Sequence, residues 1–230
     1  MKLKHFGFPL FAASMVAAFT LASEKNSAGA LATCTPIETD EGAWHVADFN
    51  DIGSCRFVLP DDANTVNVFV LGGGGAGGWS DADAASGGGS GGLVTGLLGI
   101  SSRELTIVVG SGGVGHQDAL APTSANGQDS SIITDEGMII AYGGARGTGF
   151  GDSVGVSGGS GSGAHGTWAQ AGTATKGTAT APGSFSYWGN DGGTSDSNAS
   201  GGGGGGVATP EYGGVGGSGA SGNGGAGGVG

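Results

Sequence analysis

Ser90 lies in Gly88-Gly89-Ser90-Gly91-Gly92, the Gly-x-Ser-x-Gly spacing in which a sharp turn exposes a serine nucleophile. Gly72-Gly73-Gly74-Gly75-Ala76-Gly77 fits the G-x-G-x-x-G spacing whose glycines let a backbone approach a pyrophosphate. Asp81 and Asp83 beside Trp79, and Asp118 two residues beyond His116, are oxygen donors of the kind calcium takes. Gly112-Gly113-Val114-Gly115 begins like a calcium-binding glycine nonapeptide, but His116 and Gln117 put the aspartate one place late and nothing repeats. Each motif fails its context. With 57 glycines in 230 residues, both glycine spacings arise freely. A serine nucleophile needs a histidine placed by a carboxylate, and His116 near Asp118 or His165 near no acid are poor candidates. No βαβ unit or amphipathic helix follows the glycine motif, as a dinucleotide site requires. Lys176 is followed by glycine but not preceded by it, so there is no Walker A sequence. The expectation is no enzyme, no catalytic residue, no cofactor and no metal, with the acidic residues keeping a glycine-rich surface soluble.

Composition narrows the class further. Glycine and proline together, 57 and 6 residues, exclude an ordinary helical enzyme core, and six prolines cannot sustain a collagen. Nineteen acidic against seven basic residues give a net charge of −12, which argues against a nucleic-acid partner and a polybasic membrane patch.

Residues 1–32 read as a secretory signal. Lys2 and Lys4 precede the uncharged run Leu10–Ala22, whose 13 residues would make a helix of about 20 Å against a hydrocarbon core of about 30 Å. Cleavage sites are offered after Ala22, Ala30 and Ala32, and no transmembrane helix is expected after cleavage. Export makes Cys34 and Cys55, the only cysteines, a natural disulfide pair. Closing that loop is worth on the order of 3 kcal/mol in the chain-entropy model. Residues 33–55 are then a disulfide-closed segment with Trp44, Val46 and Phe49 as apolar points.

Residues 56–144 interleave strands with glycine clusters. Arg56–Leu59 ends at Pro60; Thr65–Leu71 alternates, with Val66, Val68 and Val70 on one face and Asn67, Phe69 and Leu71 on the other. Leu93–Leu98 is a weaker strand interrupted by Gly96, and Glu104–Val109 is a good one. Ser131–Ile133 and Met138–Tyr142 form a hairpin through Thr134–Gly137. The fold class is all-β: a small antiparallel sheet or sandwich scaffold carrying packed polyglycine II helices and long Gly/Ser/Thr loops. The clusters themselves admit two readings. As linkers they would be flexible, because glycine loses the most backbone entropy on ordering. As left-handed helices with three residues per turn they could pack closely and bond to one another. In that reading Gly72, Gly74, Gly77, Gly89 and Gly112 are structural, each with a neighbouring backbone where a Cβ would go. Every third residue from Gly213 to Gly228 is also glycine.

Residues 145–230 are expected to be loops and polyglycine, and the chain closes inside a glycine run with no final strand, an ending that fits a truncated chain. Isolated rings occur there, among them Trp168, Tyr187 and Trp188. Aromatics on loops at the end of a rigid bundle supply amphipathic contact area at low entropy cost; alternatively they cap a small satellite core.

Phe57-Val58-Leu59-Pro60, Thr65–Gly78, Gly87–Leu98, Leu105–Gly113 and Met138–Gly144 together resemble the glycine-rich domain found in bacterial surface proteins and phage tail-tip adhesins. The resemblance implies a β scaffold with a polyglycine-helix bundle, whose adhesin members present variable distal loops to cell-surface ligands. The apparent signal favours a cellular surface or secreted protein over a virion part. The expected function is a secreted or surface-displayed adhesin-like module binding a cell-surface glycan or protein through Trp168, Tyr187 and Trp188, with self-association left open. The alternative is a structural protein of an envelope, extracellular matrix or filament.

Overall fold

In the computed structural model the described residues are 31–42, 44–61, 63, 66–80, 84–100, 102–115, 124–149, 154–196, 202 and 204–207. The basic and apolar parts of the signal, the paired Asp81 and Asp83, His116 with Asp118, and the glycine register beyond residue 212 lie outside them. The described residues carry ten strands in three antiparallel sheets and no helix. The fold is all-β.

The first sheet is a lone hairpin, β1 (Ile37–Glu41) and β2 (Trp44–Asp48). It sits inside the loop closed by Cys34–Cys55, whose Cα atoms are 5.0 Å apart. Its strands are mostly exposed and touch no other strand. The disulfide roots it in the neighbouring sheet. There Cys34 N–H donates to the Arg56 carbonyl and Arg56 N–H to that of Ala32, both at 2.8 Å, as a parallel bridge. Phe49 then packs edge-on against Phe57 with centroids 5.0 Å apart.

The other sheets face each other. One has the order β10 (Gly183–Trp188), β5 (Leu93–Leu98), β4 (Val66–Leu71). The second has the order β3 (Gly53–Val58), β6 (Glu104–Val109), β7 (Ser130–Thr134), β8 (Gly137–Ala141), β9 (Gly177–Ala179). Strand alternation puts Val68, Val70, Val94 and Leu98 from one sheet against Leu105, Ile107, Ile139 and Ala141 from the other. Val94 and Ile139 are completely buried. Leu93–Leu98 proves to be the central strand of its sheet despite Gly96. That glycine has φ +153°, and a Cβ there would strike the Ser184 backbone of the adjacent strand.

Two elements depart from the sequence reading. Residues 33–55 hold a complete hairpin, and residues 145–230, expected to be loops and polyglycine alone, supply β9 and β10 to the scaffold. β10 reads Gly-Ser-Phe-Ser-Tyr-Trp, so its period-2 pattern is carried by Phe185 and Tyr187 rather than by aliphatic residues. Both rings pack on the core.

Strands and glycine-rich runs alternate along the chain. Residues 72–79, 110–115, 142–149 and 189–195 leave β4, β6, β8 and β10; residues 84–92, 124–129 and 170–176 lead back into β5, β7 and β9. The runs bond to one another with a step of three residues. Gly72, Gly75 and Gly78 N–H donate to the carbonyls of Gly92, Gly89 and Ser86 at 2.9, 2.8 and 2.9 Å. Ser86, Gly89 and Gly92 donate onward to Thr148, Ala145 and Tyr142 at 2.9, 2.8 and 2.8 Å. On its other sides the 84–92 run donates from Gly87 and Ser90 to Gly202 and Gly205, and accepts from Gly163 and Ser160. It is the centre of a bundle. A β ladder uses every second residue on one side; a step of three spreads the bonds around the run and demands neighbours on several sides.

Candidate binding surfaces

The glycine spacing within a run says which positions touch a neighbour. A Cβ on Gly72, Gly75 or Gly78 would collide with the carbonyl oxygen of Tyr142, Ala145 or Thr148, again a step of three. A Cβ on Gly89 would collide with that of Ser160. Gly74 and Gly77 are exposed, and a Cβ there meets nothing within 4 Å; at Gly112 the nearest atom is Gly74 O at 3.7 Å. Of the five glycines expected to be packed, Gly72 and Gly89 are, and Gly74, Gly77 and Gly112 are not. The correction has a simple cause. Because the runs bond at every third residue, one position in three on a run at the edge of the bundle points outward, as Gly74 and Gly77 do on the 72–79 run.

The interior of the bundle is polar. Thr148, Ser160 and Ser162 are completely buried. The Gly163 carbonyl accepts from Ser86 Oγ at 2.7 Å, Ser162 Oγ at 3.2 Å and Thr148 Oγ1 at 3.3 Å. Ser90 Oγ donates to Ser160 Oγ at 3.0 Å, which donates to the Gly206 carbonyl at 3.1 Å. The serine of the apparent nucleophile motif is thus a bonded member of the packing.

Residues 165–169 form a turn ahead of the 170–176 run. Run 189–195 starts at the end of β10, and the bridge between Ala169 and Ser195 sets this turn at its other end. Trp168 is 81% exposed and has φ +57°, a left-handed conformation uncommon for an aromatic residue. Three residues earlier in the same turn, His165 is buried with Nε2 lacking a hydrogen-bond partner. Such orphaned polar atoms and strained backbones are costly, and they cluster where function retains them.

The expected aromatic trio does not assemble. Tyr187 and Trp188 lie on β10, on opposite faces: Tyr187 is partly buried against the core, and Trp188 Nε1–H donates to Thr95 Oγ1 at 3.3 Å. Seven residues, 189–195, lead from Trp188 to the bridge that sets the Trp168 turn, and in extended form at about 3.1 Å each they span roughly 22 Å. Read as loop residues, Tyr187 and Trp188 were misplaced because their strand is short of aliphatics. Among the described residues no group of three or more His, Cys, Asp or Glu is placed to hold a metal ion, and no helix is long and apolar enough to cross a membrane.

A family model described as a glycine-rich domain matches residues 50–230. The chain belongs to that family. Comparisons with curated proteins and with solved structures find no match.

Proposed function

We propose that the chain is a secreted or surface-displayed, adhesin-like binding module that recognises a cell-surface glycan or protein through the 165–169 turn of its glycine bundle. The observation that carries this reading is the 165–169 turn, which holds an exposed, strained Trp168 three residues from buried His165 with its orphaned Nε2. The scaffold under it is read as a bundle of polyglycine II helices. Support comes from the three-residue bonding step and from φ: positive values among the described glycines are confined to Gly42, Gly53, Gly96, Gly137, Gly166 and Gly183, none of them within a run. A free glycine linker would visit both signs. The signal at residues 1–32 supports export, as does the disulfide.

The test uses the full exported protein, fluorescently labelled, on a printed glycan array and on intact cells. Trp168→Ala should abolish binding without moving the thermal midpoint, since the side chain is exposed. Equal binding by the variant overturns this turn as the recognition site. The alternative, a structural protein of an envelope, matrix or filament, is favoured by the exposed, open glycines Gly74 and Gly77, against which another extended chain could lie. Filaments that form with no array or cell binding would establish it.

A further inference from the structure

The outer face of the β10-β5-β4 sheet is separated from the Trp168 turn by the 189–195 run. Strand alternation that buries Val68 and Val70 leaves Phe69 71% exposed, with Leu71 and Leu97 also exposed. The register sets Phe69 beside Thr95 and Thr95 beside Ser186; the next row on this face is Leu71, Leu93 and Trp188. Because Trp188 Nε1–H donates to Thr95 Oγ1, the indole is held by its polar edge against the central strand. Two aromatic side chains on outer strands thus flank a threonine, with the short polar side chains of Asn67, Ser184 and Ser186 completing the face. None of its outward residues carries a charge, in a chain of net charge −12.

Size and charge decide between occupants. Three strands about 4.8 Å apart and six residues long cover about 14 by 20 Å, or roughly 300 Å², a total of roughly 600 Å² for two such faces where a stable interface needs about 1,200 Å² or more. A second copy would also bring another −12 against the first, and an anionic membrane would be repelled in the same way. A neutral sugar polymer meets neither objection. Its C–H faces suit the negative faces of the rings, and its hydroxyls suit Thr95, Ser186 and Asn67.

We propose that this sheet face is a binding platform for a neutral polysaccharide, with Phe69 and Trp188 as its aromatic contacts and Thr95 as their polar centre. The platform is separate from the Trp168 turn and does not depend on it.

The experiment is affinity electrophoresis of the full exported protein in native gels cast with hydroxyethylcellulose, xylan, galactomannan or dextran, and with carboxymethylcellulose as a charged counterpart. At least one neutral polymer should retard the protein, and carboxymethylcellulose should not. Phe69→Ser should weaken the interaction at least tenfold, and Phe69→Tyr should retain it. An unaltered near-ultraviolet circular dichroism spectrum for Phe69→Ser excludes misfolding as the cause. Absence of retardation in every neutral gel overturns the proposal, as does equal retardation of Phe69→Ser. Concentration-dependent dimers in sedimentation that Phe69→Ser removes, without retardation in any gel, would assign the face to a second copy instead.

Discussion

Between the two sheets the completely buried side chains are Val94, Ile139 and Ala141; within the bundle they include Thr148, Ser160 and Ser162. The sandwich holds together by removing aliphatic surface from water, worth roughly 25 cal/mol per Å² and indifferent to direction. The bundle has almost no such surface. It offsets the high entropy of ordering glycine with backbone hydrogen bonds, each contributing about 0.5–1.5 kcal/mol net, and with buried hydroxyls that complete the bonding. The difference is one of tolerance. An apolar core accepts a change of shape at moderate cost, whereas a lattice of carbonyls and N–H groups requires every partner to stay in place.

Four substitutions or treatments sharpen this contrast. Ile139→Ala opens a cavity where both sheets meet and should cost about 2–5 kcal/mol, read as a lower denaturant midpoint. A loss below about 1 kcal/mol would mean that the sandwich is not the source of stability. Reduction of Cys34–Cys55 acts on the sheet side and, for a loop of 21 residues, should cost about 3 kcal/mol in the chain-entropy model. Thermal melts with and without reductant measure it; the strand signal should survive in reduced protein at low temperature. Ser160→Ala removes a single oxygen, and with it the hydroxyl that donates to the Gly206 carbonyl and accepts from Ser90 Oγ and Asn190 N–H. The expected cost is about 1–3 kcal/mol, while a serine-to-alanine change on the exposed face of β10, at Ser184, should stay within about 0.5 kcal/mol. Equal effects at the two serines would deny the bundle its polar core. Gly74→Ala, the smallest, should shift stability by no more than about 1 kcal/mol and in the stabilising direction, since its Cβ meets open space.

The sandwich was legible where alternation was aliphatic. The segments around Val66–Leu71, Leu93–Leu98 and Glu104–Val109 declared both their strands and their inner faces, as did the hairpin through Thr134–Gly137. β10 escaped because its inward residues are Phe185 and Tyr187 set between serines, a pattern equally at home on a loop. The disulfide followed from compartment and count. Bonded packing of the runs was one of two readings the sequence left open, and it was not legible residue by residue. Glycine carries no side chain to mark which face is inward, so nothing in Gly72–Gly78 distinguishes Gly74 from Gly75. That distinction comes only from the neighbours, which the chain supplies some 70 residues later at Ala145. Trp168 was legible as an isolated aromatic for which exposure and a capping role both stayed open, and its separation from Trp188 was not legible, because the 189–195 run lies between them.

Adjacent positions on one run therefore test the central claim most directly. A Cβ at Gly75 would collide with the Ala145 carbonyl, and the Gly75 N–H donates to Gly89 at 2.8 Å; one residue earlier, Gly74 faces nothing. Denaturant melts of Gly75→Ala and Gly74→Ala, made in the full exported protein, compare the same chemical change at two neighbouring sites. If the runs pack as a bonded lattice, Gly75→Ala should lose about 2–4 kcal/mol through overpacking and a broken bond while Gly74→Ala stays level or gains. Equal midpoints for the two variants would contradict the lattice and return the glycine runs to the status of linkers.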